Sequence, residues 1–256
     1  MSKVIAIASQ KGGVGKTTTA VNLAAFLTHA GHRVLLMDVD PQGNATSGVG
    51  VERSEQGTLQ DLLSGKKSWR DVLVASPTEG LYVLPATEKP AANETLTFTR
   101  PQVQRLRAAL HDDLDLEWII VDCPPSFGPL PRLALELADS VLIPVQSEYY
   151  AMEGLSQILP VIEDVNKHRP EDPLEIEGLL ITMFAPELDL SHEVLNEIRE
   201  YFPDRTLETV VPRDVALAEA SSHGIPVCDY DLRSRGAWAY MNLAKEILEH
   251  DTEKAG

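Results

Sequence analysis

Two lysines and three glycines share the ten-residue segment 9–18, SQKGGVGKTT. Its end, Gly15-Lys16-Thr17, matches the phosphate-binding pattern G-x-x-x-x-G-K-[ST], although Gln10 stands where that pattern has its first glycine. Lys16 can place a positive charge on the β- and γ-phosphates, the Thr17 hydroxyl can bind Mg²⁺, and a glycine-rich backbone can approach a phosphate closely. We therefore predict a nucleotide site whose phosphates contact Gly12, Gly13, Val14, Gly15, Lys16, Thr17 and Thr18.

Two further segments place carboxylates near this site. Asp122 follows the apolar run 118–121, and ligands of open α/β sheets bind at the carboxyl ends of the strands. We therefore predict that Asp122 binds Mg²⁺, directly or through water. Asp38 and Asp40 follow the run 34–37, and residues two apart in an extended chain point to the same side. We expect one or both of these aspartates to face the phosphates.

Short apolar runs alternate with helical patterns along the chain. The apolar runs, which we interpret as buried strands, are 4–8, 34–37, 81–84, 118–121, 141–143 and 176–183, with a further strand near 207–211. The helical patterns cover 17–30, 58–63, 100–110, 130–137, 154–168, 191–201 and most of 213–250. Because parallel strands require helical crossovers, this order predicts an α/β fold, a mainly parallel twisted sheet with helices on both faces.

The length of 256 residues favours one domain, 1–256. Because the first predicted strand begins at Val4, we expect no N-terminal helix-turn-helix domain. The segment 85–93 is the candidate for a mobile excursion. Trp69, Trp118 and Trp238 have apolar neighbours, so we expect all three to be buried or half-buried packing residues.

The charge balance limits the partners of this protein. Lys and Arg total 22 against 39 Asp and Glu, a formal net charge of -17, so any contact with a nucleic acid must be local. The two cysteines, Cys123 and Cys228, form neither a disulfide framework nor a C-x-x-C motif, which is typical of a reducing cytoplasm. The amphipathic tail near 243–250 is acid-rich, whereas membrane-binding helices usually carry a basic polar face, so we expect no membrane association.

The motifs together resemble those of the ParA/MinD ATPases. The loop 11–18 is similar to their deviant Walker A loop, and 35–44, LLMDVDPQGN, is similar to their switch segment. Further likenesses at 45–48, 122–126, 144–154, 211–214 and 234–237 extend over nearly the whole chain, and 146–154, QSEYYAMEG, is most similar to the Soj-like chromosomal and plasmid partition proteins. The resemblance implies a P-loop NTPase that uses ATP and Mg²⁺ in the cytoplasm, in association with the nucleoid.

The resemblance also implies residue roles. Lys11, Lys16 and Asp40 would be catalytic. Lys11 would reach across a dimer interface to the partner's phosphates, and Asp40 would help to position the attacking water. Asp38 would be the more structural aspartate of its pair, near the metal. The implied magnesium ligands are Thr17, Asp38 and Asp122, and the implied nucleotide contacts beyond the loop are Met183, Pro212 and Arg213.

The implied partners follow from the same likeness. The family forms ATP-dependent homodimers with slow hydrolysis, is stimulated by a ParB-type protein, and binds duplex DNA without sequence preference. The corresponding DNA-binding residues here are Arg213, Arg233 and Arg235. Two positions depart from the family pattern, because Ala216 replaces a second basic residue and Glu187 replaces an arginine. These changes weaken the expected DNA patch.

Four other functions are compatible with parts of the sequence. A ParA-like ATPase could position a cargo other than DNA, and a MinD-like ATPase would need a basic amphipathic tail. A metabolic P-loop enzyme would use the same fold but would not need Lys11. A filament or nucleic-acid-binding protein that does not hydrolyse ATP would not need Asp40. The presence of Lys11 and Asp40 therefore favours the dimerising ATPase over the last two alternatives.

Overall fold

The computed structural model describes residues 2–53, 59–86, 98–112, 115–125 and 128–255. Its centre is an eight-stranded sheet with the order β3-β4-β2-β5-β1-β6-β7-β8. The strands are β1 Lys3–Ile7, β2 Val34–Asp38, β3 Val74–Ala75, β4 Leu81–Leu84, β5 Trp118–Asp122, β6 Ser140–Gln146, β7 Glu175–Phe184 and β8 Thr206–Pro212. Neighbouring strands are parallel except for the pair β3 and β4.

Helices cover both faces of this sheet. Those in the described residues are α1 Lys16–His29, α2 Asn44–Gly48, α3 Leu59–Ser64, α4 Trp69–Val72, α5 Arg100–Asp112, α6 Pro129–Leu137, α7 Ala151–Lys167, α8 Asp189–Tyr201, α9 Val215–His223, α10 Val227–Tyr230 and α11 Arg235–Ala255. None of the helices in these parts of the chain is long and apolar enough to cross a membrane.

The alternation of side chains along β1 divides the core into two layers. Val4 and Ala6 pack into one layer, which also contains residues of α5, α6, α7 and α8. Ile5 and Ile7 pack into the other, with residues of α1 and α11. Because both faces of the central strands are covered, these strands consist of almost uninterrupted apolar residues, as buried parallel strands do.

The predicted α/β fold and its parallel sheet are confirmed. The sequence reasoning missed the two-residue strand β3 and the short helices α2 and α4, and it did not divide the predicted helical stretch 213–250 into α9, α10 and α11. The prediction for Trp238 is wrong, because this side chain is 56% exposed, whereas Trp69 and Trp118 are buried. The predicted excursion at 85–93 lies outside the described residues beyond Ala86, and so does residue 58 of the predicted helix 58–63.

Candidate functional site

The phosphate loop connects the end of β1 with the start of α1. Gly13 and Gly15 have φ angles of 76° and 87°, a left-handed conformation that glycine adopts without strain. Gly15 is also the N-cap of α1, and no side chain caps this helix end. A Cβ atom added at Gly12 or Gly13 would meet no atom of the described residues within 4 Å, so these residues leave open space beside the backbone of the loop. Free amides at the positive end of a helix dipole favour a bound phosphate here.

Lys16 lies over its own loop. Its Nζ donates a hydrogen bond to the carbonyl oxygen of Lys11 at 2.9 Å, and the residue is only 6% exposed. Burial lowers the pKa of the Lys16 ammonium, and the nearby carboxylate of Asp122 opposes this effect. A partly desolvated cation interacts more strongly with a phosphate than one in water does. The structure places Lys16 at the phosphate loop, and its role toward the phosphates of the same chain stays a prediction.

Thr17 and Asp122 form the centre of the predicted metal site. The Thr17 hydroxyl donates to Oδ2 of Asp122 at 2.8 Å. Oδ1 of Asp122 is buried and has no hydrogen-bond partner among the residues that the structure describes. Burial, with the charge of Asp38, raises the pKa of Asp122 to about 8. An unpartnered carboxylate oxygen beside a hydroxyl is a hard-oxygen donor set that fits Mg²⁺, and a bound cation would relieve the cost of burying this charge.

Asp38 organises the segment that follows β2. Its Oδ2 accepts hydrogen bonds from the Thr46 amide and hydroxyl, both at 2.7 Å, and its Oδ1 accepts one from the Asp40 amide at 3.2 Å. The bonds from Thr46 lower the pKa of the Asp38 carboxyl, but burial outweighs them and raises it overall. Asp38 therefore fixes the start of α2 against the end of β2, in keeping with the structural role expected for it.

Asp40 does not lie on an extended strand, so the period-two argument does not apply. The strand β2 ends at Asp38 and the chain turns, with Oδ1 of Asp40 accepting a hydrogen bond from the Gln42 amide at 2.9 Å. Asp40 is nevertheless buried, and its charge acts on both Lys16 and Asp122. The structure thus brings Asp38, Asp40 and Asp122 together beside the phosphate loop by a route different from the predicted one.

Lys11 pairs with a residue outside the phosphate loop. Its Nζ lies 3.9 Å from Oε2 of Glu148, which follows β6, and its side chain is 30% exposed. Oε1 of Glu148 is 3.5 Å from the guanidinium of Arg213 and accepts a hydrogen bond from Gln146. Sequence reasoning missed Glu148, although it lies inside the QSEYYAMEG run. The signal was its position after a strand, the same signal that identified Asp122.

The ends of β7 and β8 carry the other predicted nucleotide contacts. Met183 has a φ of 53°, the one positive value among the non-glycine residues that the structure describes. Thr182, its neighbour, donates a hydrogen bond to the Val14 carbonyl oxygen at 2.9 Å and so joins β7 to the phosphate loop. The amide of Arg213, next to Pro212, donates to the Phe184 carbonyl oxygen at 2.9 Å. These residues share the carboxyl edge of the sheet with the loop, and their contact with a nucleotide stays a prediction.

The three predicted DNA-binding arginines are exposed near the starts of α9 and α11. Asp214 joins these two helices, because its Oδ1 accepts from the Ala216 amide at 3.1 Å and its Oδ2 from the Gly236 amide at 2.8 Å. This bridge brings together the segments that carry Arg213 and Arg235. Arg213 is also paired with the loop after β6, as described above, so the patch begins at the edge of the nucleotide site.

The comparisons with known proteins agree over nearly the full chain. A family model described as an AAA domain matches residues 2–176. The sporulation initiation inhibitor protein Soj of Bacillus subtilis is 50% identical over 96% of this chain and 98% of its own length. The chromosome partitioning protein ParA of Myxococcus xanthus is 43% identical, over 100% of this chain and 91% of its own.

A solved structure gives the same picture. Cobyrinic acid a,c-diamide synthase from Mycobacterium smegmatis, with a bound ATP analog and magnesium, is 33% identical, with a TM-score of 0.81 over 98% of this chain and 96% of its own. The architecture of the sheet and the sequence of the site therefore point to one group of nucleotide-binding proteins.

Proposed function

The chain belongs to the Soj/ParA family of P-loop ATPases, and from that membership we propose that it is an ATP-dependent dimerising switch that partitions chromosomal or plasmid DNA. The protein is an ATPase that uses ATP and Mg²⁺. One observation carries the proposal of a dimer: the two loop lysines have different partners, because Lys16 bonds to the backbone of its own loop whereas Lys11 forms a partly exposed pair with Glu148. We also propose that residues 1–256 form a single ATPase domain.

The described residues account for hydrolysis in the following way. Lys16 and the loop amides bind and orient the β- and γ-phosphates, and Thr17 and Asp122 hold the metal site. Mg²⁺, when bound, neutralises charge on the phosphate oxygens. Asp40 accepts a hydrogen bond from the attacking water and aligns it with the γ-phosphate. In-line attack of this kind depends on positioning and charge more than on a strong base, so basal turnover is slow.

Lys11 links the nucleotide to the dimer in this proposal. In the ATP state Lys11 leaves Glu148 and contacts the γ-phosphate of the ATP that is bound to the partner subunit. Loss of the γ-phosphate removes this contact, so ATP stabilises the dimer and ADP does not. The charge pair with Glu148 is weak, since exposed ion pairs are worth about 0.2–1 kcal/mol, so it does not prevent the exchange.

Sedimentation with ADP, with a nonhydrolysable ATP analogue and with neither tests the dimer. We expect the mass to double only in the sample that contains the analogue and Mg²⁺, and an unchanged mass in that sample would contradict the proposal.

Variants separate the roles of the site residues. Lys11→Ala should bind the analogue but stay monomeric, whereas Lys16→Ala should not bind it. Asp40→Ala should bind ATP and accumulate as the dimer, and normal turnover by this variant would refute the role of Asp40. Lys66→Ala, a change at an exposed lysine before α4, is the control.

DNA binding rests on the arginine patch and its doubling in a dimer. If one subunit contacts about three phosphates and the dimer about six, log K should fall against log salt with slopes near -3 and -5 respectively, at about -0.9 for each phosphate. The net charge of -17 weakens this binding and makes it disappear at modest salt. The measurement is a salt titration of duplex affinity with ATP, for wild type and for Arg235→Glu, with the exposed Arg70→Glu as control.

The same titration tests whether the cargo is DNA. If DNA affinity persists after charge reversal of all three arginines, or does not depend on nucleotide, these arginines do not form the DNA-binding surface. No binding at any salt would favour a cargo other than DNA. We further propose that a ParB-type partner completes the site, so addition of the partner should raise the ATPase rate of the dimer but not of Lys11→Ala. The protein acts in this scheme at the nucleoid in the cytoplasm, and the acidic α11 argues against a MinD-like membrane ATPase.

A further inference from the structure

A second set of side chains of types that can bind a metal lies away from the phosphate loop. His29 is in the last turn of α1, and Cys228 and Asp229 are in α10. One ligand atom from each of these residues lies within 4.8 Å of the others. The Nε2 atom of His29 is 3.0 Å from Oδ1 of Asp229. Since α1 rises about 1.5 Å per residue, His29 lies about 20 Å along this helix from Lys16, so the cluster is separate from the phosphate site.

The backbone around the cluster is fixed by other contacts. The Val227 amide donates a hydrogen bond to the buried Oδ1 of Asn22 at 2.8 Å, which ties α10 to the middle of α1. The second carboxylate oxygen of Asp229 accepts a hydrogen bond from the Thr78 hydroxyl at 3.3 Å. A carboxylate held by one oxygen presents the other in a set direction, as outer partners of metal ligands do. The three donors are therefore brought together by the fold and not by flexible side chains alone.

The chemistry of the donors indicates which ion would bind. A thiol, an imidazole and a carboxylate together favour a borderline-soft divalent cation over Mg²⁺ or Ca²⁺, which prefer oxygen ligands only. Tetrahedral zinc with ligands at about 2.0–2.3 Å requires ligand atoms about 3.3–3.8 Å apart, which small side-chain rotations can reach from the observed spacing. His29 and Cys228 also line an open groove of about 500 Å³, which leaves room for a water as fourth ligand. We propose that His29, Cys228 and Asp229 form a zinc site.

Binding must displace a proton from sulfur. Burial raises the pKa of the Cys228 thiol to about 12, with a contribution from the charge of Asp229. The thiol therefore loses its proton to solvent when a Zn–S bond forms, and His29 must be neutral at the bonding nitrogen. The affinity for zinc should consequently rise with pH. The site would fasten the C-terminal end of α1 to α10, so zinc should stabilise the folded chain.

Cobalt is the probe, because a thiolate bound to Co²⁺ produces a charge-transfer band that oxygen ligands do not give. The full chain without nucleotide, in excess Mg²⁺, is titrated with Co²⁺ and then with Zn²⁺, which should remove the band. We expect the band in wild type and in Cys123→Ser, and its loss in Cys228→Ser. Zinc should raise the Tm of wild type and leave that of Cys228→Ser unchanged. Binding of MgADP by each variant shows that it is folded.

Histidine variants supply the matched comparison. His29→Gln should weaken zinc binding by at least about 100-fold, and Thr78→Val, which removes only the outer hydrogen bond, by about 10-fold. His32→Gln, which removes a nearby histidine paired with Glu117, should bind zinc like wild type. The absence of a band, a band of equal strength in Cys228→Ser, or equal zinc affinity of His29→Gln and wild type would each overturn the proposal and leave a simple His29–Asp229 hydrogen bond.

Discussion

The buried carboxyl of Asp122 leads to a quantitative prediction for the protein without metal. Its pKa of about 8 compares with an ordinary value of 3.8. In the folded chain the group keeps its proton where the unfolded chain has lost it, so the free energy of unfolding decreases as the pH rises from about 4 to about 8. Above that range both states are ionised and the dependence ends. The sign is opposite to that of a salt-bridged aspartate.

The size of the effect follows from the same two values. Each pH unit between them is worth about 1.4 kcal/mol, so a single group titrating at 3.8 and about 8 loses about 3–4 kcal/mol of unfolding free energy between about pH 5 and about pH 8. Coupling to Asp38 spreads the proton over two carboxyls and reduces the expected change to about 2–3 kcal/mol. Asp122→Asn removes the titration and leaves a neutral side chain of the same shape. The unfolding free energy of Asp122→Asn minus that of wild type should therefore increase by this amount.

Urea unfolding in EDTA at several pH values between about 5 and 8 measures this difference. Titrating groups common to both proteins cancel, and any constant cost of the new amide does not change with pH. Asp204→Asn, at an exposed aspartate before β8, should show no trend. A difference for Asp122→Asn that is flat over the range would mean that the carboxyl is already ionised without a cation, and the argument from burial would be wrong. Conversely, Mg²⁺ binding to wild type should release a proton below about pH 8, measurable as a buffer-dependent heat.

Three further changes test other contacts. Thr46→Val removes the hydroxyl that donates to the buried Asp38 and accepts from the Ala86 amide, and it should lower the free energy of unfolding by about 2–3 kcal/mol in urea, while equal stability would show that these two bonds contribute little. Glu148→Gln frees Lys11 and should increase ATP-dependent dimerisation about 2- to 5-fold by sedimentation, since the pair is partly exposed, and weaker dimerisation would instead assign Glu148 to the interface. Gly224→Ala places a methyl 2.8 Å from a carbonyl oxygen of α2 at a φ of 68°, so its Tm should fall with a loss of about 1–3 kcal/mol.

The features that depend on contiguous residues could be predicted from the sequence. The phosphate loop and its helix form one uninterrupted segment, and Asp122 is marked by the end of an apolar run. The central strands were found because both faces are buried, which produces apolar runs longer than chance allows. These signals do not depend on how distant parts of the chain meet.

The features that were missed depend on strand order or on short elements. Glu148 meets Lys11 because β6 lies beside β1, and the sequence identifies strands without ordering them. The helices α2 and α4 have five and four residues, too few for a helical period to appear. Trp238 has buried neighbours at Ala237 and Ala239 but lies on another side of the helix, because successive helical residues are about 100° apart.

The strand order also has a consequence for how the two ends of the site communicate. Four strand spacings separate β5, which carries Asp122, from β8, which precedes Arg213, and at about 4.8 Å each they span roughly 19 Å. The Debye length at physiological ionic strength is about 8 Å, so the charge of a metal held by Thr17 and Asp122 is largely screened in solvent over this span. Metal occupancy therefore has little effect on DNA affinity through the solvent field. Within the proposed function, dimerisation is what couples the bound nucleotide to DNA affinity. Because dimerisation depends on protein concentration, that concentration sets how strongly the nucleotide controls DNA binding.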